Sequence, residues 1–280
     1  MNHTLTFVRM KITGNIRKME TSLEEVVLYR LPLYEILEKG VSVDMNELIG
    51  QTINIRFEGA IHCVVSGKKI KKTFGDGMSY EVFMSSPEAS PSIIRPELSR
   101  IHEGIALRDY DWEMAHHMQP HIVYLSLTND VKVGVTRTRQ VPYRWIDQGA
   151  TEAVVLAETP YRQAAGLIEV ALKDHLADKT NWQRMLRNDI SPHDPIVEIK
   201  QRMLPFIPDE LKSFFSKDNS VLHINYPVEK YPEKVKSLKL DTSPEIEKKL
   251  AGIKGQYLMF EDGSVLNVRS HSGYRISLEY

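Results

Sequence analysis

Two strand-like runs joined by a turn in the middle of the chain constrain its fold more than any other segment. The runs are Ile122–Leu125 and Val131–Val135, and Thr128-Asn129-Asp130 lies between them. These turn residues are typical of a β-hairpin. A helical segment, TPYRQAAGLIEVALKDHL, follows over residues 159–176. This segment is apolar apart from a few polar residues, among them a lone glutamate, Glu169.

Four polar residues of this region form a candidate set for cleaving a phosphodiester. Such hydrolysis needs an activated water and a cation that stabilises the developing charge. Tyr124 and Lys132 lie on the two strands, and we expect Lys132 to lower the pKa of Tyr124 so that it orients or deprotonates water. Arg144 offers a two-pronged donor to phosphate. Glu169 is the candidate ligand for Mg²⁺ or Mn²⁺.

The first three of these residues also have structural interpretations. Tyr124 suits a strand aromatic whose hydroxyl reaches water, and Lys132 suits an exposed strand position. Arg144 has Asp147 and Glu152 nearby in sequence as ion-pair partners. The catalytic interpretation requires these side chains to converge on one site, whereas the structural interpretation does not.

Glu169 has its own structural interpretation as the partner of Lys173 in an i,i+4 helix ion pair. The small residues 164–166 before it predict open space in front of the carboxylate, which favours a site. The start of this helix is predicted from Thr159 as its cap and Pro160 at its first position.

A basic strip over residues 131–146 predicts contact with a nucleic-acid backbone. It has four basic residues and no acid, although the whole chain is balanced at 36 basic against 37 acidic residues. Clustered cations can follow phosphates, and Trp145 is a candidate for stacking on a base. A solvated loop and a core tryptophan are the alternatives. The predicted nucleic-acid-binding residues are Arg137, Arg139, Trp145 and Gln148.

The order of the four candidate residues resembles the GIY-YIG nuclease domain. In that family a tyrosine ends the first strand, a glycine closes the second, an arginine opens the first helix, and a later glutamate binds a divalent metal. Residues 123–125 (VYL) and 132–134 (KVG) stand for the two half-motifs, with Lys132 at the second tyrosine position as in some members. The resemblance implies an endonuclease with Tyr124, Lys132, Arg144 and Glu169 as catalytic residues and Glu169 as metal ligand.

The whole chain is identified as similar to a family of bacterial proteins, the domain of unknown function 2797. This resemblance brings no activity with it. The segments that carry it are GNIRKM (14–19), IRPELSRIHEG (94–104), VKVGVTR (131–137), RWIDQGA (144–150), DKTNWQRML (178–186) and GIKGQYL (252–258).

Segment composition predicts an α+β protein with a divided β domain. Alternating runs in residues 1–62 and 221–280 predict one β-rich domain built from both ends of the chain. A hairpin is predicted there with Asp262-Gly263 as its turn. Residues 119–190 are expected to form a GIY-YIG-like core with a small mixed sheet, and 191–220 a helical connector. Asp178, Lys179 and Trp182 are candidates for lining the cleft of that core, or for packing at the C-terminal end of the helix.

Residues 63–118 have the spacing of a degenerate zinc ribbon. Steps of two, twelve and two intervening residues lead from Cys63 to Ser66, Ser79 and Val82. The related family resembles a ribbon with cysteines at these places. One thiolate cannot close a tetrahedral zinc site, so we expect no structural zinc. The alternative pairs Cys63 with His62, His102, His116 or His117. We expect apolar packing to replace the metal, by Met78, Val82, Phe83 and Met84.

Three functions remain open from the sequence. The first is a metal-dependent nucleic-acid phosphodiesterase, the second a non-catalytic nucleic-acid-binding module of the same fold, and the third a structural or protein-interaction protein. No apolar run approaches the roughly 20 residues that span a bilayer, and the first residues resemble no signal peptide. We therefore expect a cytoplasmic protein with no membrane partner.

Overall fold

The strands of the protein fall in three stretches of the chain, which are separated by longer connections that contain helices. The computed structural model describes residues 10–176 and 180–280. Its strands are β1 (Lys11–Ile16), β2 (Glu20–Leu23), β3 (Val27–Glu35), β4 (Glu38–Asp44), β5 (Thr52–His62), β6 (Lys69–Ile70), β7 (His121–Leu127), β8 (Val131–Arg137), β9 (Glu152–Thr159), β10 (Leu222–His223), β11 (Lys236–Leu238), β12 (Glu245–Lys254), β13 (Tyr257–Phe260), β14 (Ser264–Asn267) and β15 (Tyr274–Glu279).

The α-helices are short and fall in the middle of the sequence. In the described part of the chain, no helix has the length and apolarity that crossing a membrane requires. The helices are α1 (Tyr80–Ser85), α2 (Pro91–Ile94), α3 (Tyr110–His117), α4 (Tyr143–Asp147), α5 (Arg162–Leu172), α6 (Trp182–Arg187) and α7 (Ile196–Met203).

The first compact unit is a β domain built from both ends of the chain. It contains residues up to Thr21, Leu28–Tyr80 and Pro227–Tyr280. Its sheet has the order β11-β14-β13-β12-β5-β15-β1-β3, with β4 paired to β3 and β6 to β5. Strand β15 pairs antiparallel with both β1 and β5. The predicted α+β class, with a β-rich domain formed by the N- and C-terminal segments, is confirmed.

The predicted Asp262-Gly263 turn joins β13 to β14 in this unit. These strands pair antiparallel, with Tyr257 opposite Asn267. Gly263 has a φ of +79°, and a Cβ there would lie 2.5 Å from the Lys234 carbonyl oxygen. Both constraints favour glycine. Asp262 accepts hydrogen bonds from the backbone and hydroxyl of Ser264, which close the turn.

Cys63 is buried inside a small loop. Its Sγ accepts hydrogen bonds from the backbone N–H groups of Ser66 at 3.4 Å and Ser79 at 3.2 Å. Two of the three ribbon positions therefore lie next to the thiol. Among the residues expected to replace zinc by packing, Met78 is buried but Met84 is 53% exposed, so Met84 does not contribute as predicted.

The second compact unit contains residues Ser22–Val27 and Glu81–Tyr226. Its sheet has the order β10-β9-β7-β8, and these neighbours pair antiparallel although a mixed sheet was predicted. Val123 and Leu125 of β7 point into one core with the apolar faces of α5 and α7. The ribbon-like segment 63–118 is divided after Tyr80 between the two units.

The central hairpin forms where the sequence predicts it, with strands extended by two residues or more. Leu127 pairs with Val131 across the turn. The turn is anchored, because Asn129 is buried and accepts hydrogen bonds from the backbone N–H groups of Asn181 and Ser191. The predicted start of α5 is wrong. Its N-cap residue is Tyr161, because the Thr159 hydroxyl instead donates within the strand region, to the His121 carbonyl.

Candidate functional site

Tyr124 lies in the middle of β7 and covers the facing glycine of β8. It pairs with Gly134, where a Cβ would lie only 2.6 Å from the tyrosine hydroxyl oxygen. Glycine at this position therefore makes room for the ring. The side chain is fully buried, and its hydroxyl donates to Oε1 of Gln148 at 3.0 Å. Gln148, predicted to contact nucleic acid, instead holds this tyrosine.

The predicted lowering of the Tyr124 pKa is wrong. Burial raises the pKa of Tyr124, and the opposing effects of Arg144 and of the hydrogen bond to Gln148 do not offset the loss of hydration. Its hydroxyl is therefore a neutral donor. Trp145 packs edge-on against Tyr124, with 5.7 Å between ring centroids, and is itself buried. Trp145 presents no face on which a base could stack, which corrects its prediction.

Lys132 is largely withdrawn from water on the neighbouring strand. Its Nζ donates to Oγ1 of Thr180 at 2.7 Å. Burial, together with the charge of Arg144, lowers the pKa of Lys132 to about 8, while Glu169 acts in the opposite direction. An amine with this pKa is neutral in a useful fraction of molecules near physiological pH. The exposed-lysine interpretation is therefore wrong.

Replacing Lys132 with methionine is expected to raise the free energy of unfolding near neutral pH by about 2 kcal/mol. The folded-state pKa lies below the ordinary value of about 10.4, so between about pH 8 and 10 the unfolded chain holds the proton that the folded chain has released. The wild type therefore gains stability as pH rises. The advantage of Lys132→Met should shrink over that window. Urea unfolding of both proteins at several pH values measures it.

The control for this prediction is Lys217→Met, because Lys217 is an exposed lysine of the same unit. Its stability difference from the wild type should not change with pH. A difference for Lys132→Met that is equally independent of pH would contradict the lowered pKa.

Arg144 is the second residue of α4 and forms no ion pair in the described part of the chain. Neither Asp147 nor Glu152 lies within 4 Å of its guanidinium, so the structural pairing considered from sequence does not occur. It forms a side-chain hydrogen bond with Tyr124 and acts electrostatically on Lys132 and Arg162. Arg144 thus acts on residues of both β-strands and of α5.

Glu169 lies on α5, and one of its carboxylate oxygens forms no hydrogen bond with a described atom. Oε2 is 3.7 Å from Nζ of Lys173, the ion pair that the helical spacing predicts. The same oxygen is buried and has no hydrogen-bond partner among the described atoms. Burial raises the pKa of Glu169, Lys173 and Arg162 oppose this, and the nearby carboxylate of Glu97 adds to it. The residue is a partly compensated buried acid.

The small residues before Glu169 do not leave open space, and that interpretation is wrong. The turn Pro96–Leu98 packs against α5 there. A Cβ built at Gly166 would lie 2.5 Å from the Pro96 carbonyl carbon. This contact brings Glu97 beside Glu169, and Glu97 also has a buried carboxylate oxygen without a partner among the described atoms. Glu97 is not predicted from the sequence, since it lies beside Glu169 only through a contact between segments about seventy positions apart.

The four predicted catalytic residues form one electrostatically connected group. Glu169 acts on Tyr124, Lys132 and Arg162, and Arg144 acts on the same three. Arg139 is exposed in the turn after β8 and acts electrostatically on Arg137. Asp178 and Lys179, predicted to line the cleft, lie outside the described residues. Within those residues, no three His, Cys, Asp or Glu side chains are grouped as metal ligands.

The fold and this charged group define a class of protein. It is an α+β protein in which an antiparallel four-stranded sheet and its helices carry a half-buried lysine, a buried arginine with further arginines near it, and a half-buried acid. The chain belongs to the DUF2797 family, whose members are described as proteins of unknown function, and the family model matches residues 50–276. Neither the curated proteins nor the solved structures contain a significant match to the chain.

Proposed function

We propose that the protein is a GIY-YIG-like, divalent-metal-dependent nucleic-acid phosphodiesterase with its centre at Tyr124, Lys132, Arg144 and Glu169. The observation that carries this proposal is the buried carboxylate oxygen of Glu169, which forms no hydrogen bond with a described atom, lies 3.7 Å from Lys173 Nζ and acts electrostatically on Lys132. A buried acid is costly unless something compensates it. A metal ion and the phosphate bound to it would supply that compensation.

The order of elements supports the same proposal. Tyr124 and Gly134 face each other on the antiparallel strands β7 and β8, Arg144 follows on α4, and Glu169 lies on α5 after β9. This is the order of residues in the GIY-YIG resemblance. Tyr124 lies within its strand rather than at its end, which is a departure from that pattern.

The carboxylates present fit a hard divalent cation. Mg²⁺ is commonly held by one or two carboxylates, with waters and substrate phosphate completing its coordination. Glu169 would be the principal ligand, and Glu97 offers a second oxygen beside it. When bound, such a metal stabilises negative charge on the transferring phosphoryl group.

Each of the other residues has a role that its geometry permits. Arg144 has no competing carboxylate partner in the described chain, so its guanidinium is free to hold a phosphate through paired hydrogen bonds. Lys132, with a pKa of about 8, can accept a proton from the attacking water. Tyr124 is a positioning residue, because its buried hydroxyl fixes Gln148 and contacts Arg144.

The proposal is tested by incubating the protein with labelled single-stranded DNA, duplex DNA and RNA, with Mn²⁺ or with EDTA. We expect cleavage of at least one substrate with Mn²⁺ and none with EDTA. Absence of cleavage of all three in Mg²⁺ and Mn²⁺ would overturn the catalytic proposal.

A non-catalytic nucleic-acid-binding module is the second candidate. The full burial of Tyr124 and its hydrogen bond to Gln148 favour it, because neither leaves the hydroxyl open to substrate. Binding without cleavage, weakening steeply as salt increases, would identify this function. Absence of both binding and cleavage would instead favour the structural or protein-interaction role.

A further inference from the structure

A small basic pocket lies beside the candidate site, in the same compact unit. It has a volume of about 170 Å³. This is well below the roughly 300 Å³ at which sites for whole small molecules begin, so the pocket suits one compact polar group. The residues that define its chemistry are Arg137, Arg144, Arg162, His117, His116 and Trp112.

The three arginines of the pocket carry charge that no carboxylate neutralises directly. In the described part of the chain, no acidic side chain lies within ion-pair distance of them. Arg162 is buried and anchored by its guanidinium, which donates to the carbonyl oxygens of Ser92 and Ile93. Burial lowers the pKa of Arg162 to about 10, with Arg137 and Arg144 adding to this and Glu169 opposing it. Positive charge concentrated in this way favours the binding of an anion.

His117 contributes a buried imidazole to the lining of the pocket. Its side chain is only 2% exposed, and Nε2 has no hydrogen-bond partner among the described atoms. Nδ1 lies 3.2 Å from the Ser99 hydroxyl. When that hydroxyl donates to Nδ1, Nε2 carries the hydrogen and is a donor without a partner among the described atoms. Glu113, behind the ring at 3.9 Å from Nδ1, is not part of the lining.

The remaining wall of the pocket is aromatic. Asp109 caps α3 by accepting a hydrogen bond from the backbone of Trp112. The i,i+4 spacing then stacks the Trp112 and His116 rings, with 4.0 Å between their centroids. A flat aromatic pair next to bound phosphate is an arrangement that accepts a nucleobase.

We propose that this pocket binds the terminal phosphate monoester of a nucleic-acid strand, with the adjoining nucleotide against Trp112 and His116. A monoester carries close to two negative charges at neutral pH, whereas an internal phosphodiester carries one. Three guanidinium groups without an ion-pair partner in the described part of the chain, together with a compact pocket, match the more highly charged, chain-ending group. The proposal rests on the proposed function, because Arg144 belongs to both sites and the strand end would position the backbone near Glu169.

The test is binding of one oligonucleotide sequence, as DNA and as RNA, in 5′-phosphorylated, 3′-phosphorylated and unphosphorylated forms. Fluorescence anisotropy in EDTA keeps binding separate from cleavage. The wild type should bind one phosphorylated form at least about tenfold more tightly, equivalent to about 1.4 kcal/mol, and inorganic phosphate should compete. Arg137→Gln should remove this preference.

The matched control is Arg202→Gln, which removes the same charge from an exposed arginine paired with Asp194. It should keep the preference. Equal binding of the three forms by the wild type, or an equal loss in both variants, would overturn the proposal. Competition by inorganic phosphate without any preference among oligonucleotides would identify a free-phosphate site and overturn the nucleic-acid assignment. Either failure leaves the Mn²⁺-dependent cleavage result unaffected.

Discussion

Replacing Glu169 with glutamine is expected to reduce Mn²⁺-dependent cleavage by more than about a hundredfold, a loss of roughly 2.7 kcal/mol in transition-state stabilisation. Glutamine keeps the size of the side chain but removes the charge that would hold the metal. The fold should survive, because burial already raises the pKa of Glu169 and a neutral side chain avoids that cost. Initial rates at saturating Mn²⁺, with unfolding curves for both proteins, measure the two effects separately.

Glu158→Gln is the control for this variant. Glu158 is an exposed acid on β9 of the same unit, so its replacement also removes one negative charge. It should retain the wild-type rate. Equal rates for Glu169→Gln and the wild type would remove Glu169 from the chemistry and leave its pairing with Lys173 as its role.

Replacing Gly166 with alanine is expected to destabilise the protein by about 3 kcal/mol. Helix propensity alone predicts the opposite sign, since alanine is favoured over glycine inside a helix by about 1 kcal/mol. The contact with Pro96 reverses this. A Cβ at Gly166 would lie 2.5 Å from the Pro96 carbonyl carbon, and backbone cannot move aside as a flexible side chain can. Overpacking of this kind costs typically 1–3 kcal/mol and occasionally more.

Val170→Ala tests whether the effect belongs to the contact rather than to α5 in general. Val170 is on the same helix but 43% exposed, and exposed substitutions usually change stability by less than about 0.5 kcal/mol. Chemical denaturation of both variants gives the comparison. If Gly166→Ala were as stable as Val170→Ala, the close packing of Pro96–Leu98 against α5 would be refuted.

Local sequence patterns correctly predicted those elements whose formation depends on residues close together in the sequence. The hairpin around residues 128–130 and the Asp262-Gly263 turn depend on turn residues and alternation within a few positions, and both formed as predicted. The start of α5 did not, because the Thr159 side chain bonds to β7 instead of capping the helix. A cap competes with tertiary partners that the local sequence does not reveal.

The composition of the site depended on distant segments and could be predicted only in part. The residues predicted as catalytic do act on one another electrostatically. The protonation behaviour of Tyr124 was predicted with the wrong sign, since its burial arises from packing by Trp145 and Gln148. Glu97 and His117 reach this region through the Pro96–Leu98 turn and α3, and neither carries a local motif.

Strand β15 also dictates an order of events during folding. It lies between β1 and β5, and its pairing of Lys11 with Glu279 joins positions almost a chain length apart. Until β15 has been synthesised, both neighbours expose unpaired edges, which are prone to association with other chains. The β7–β10 sheet depends on nearer partners and can form earlier, because loop closure over shorter distances is faster. We therefore expect the unit encoded in the middle of the chain to form before the unit that its two ends build.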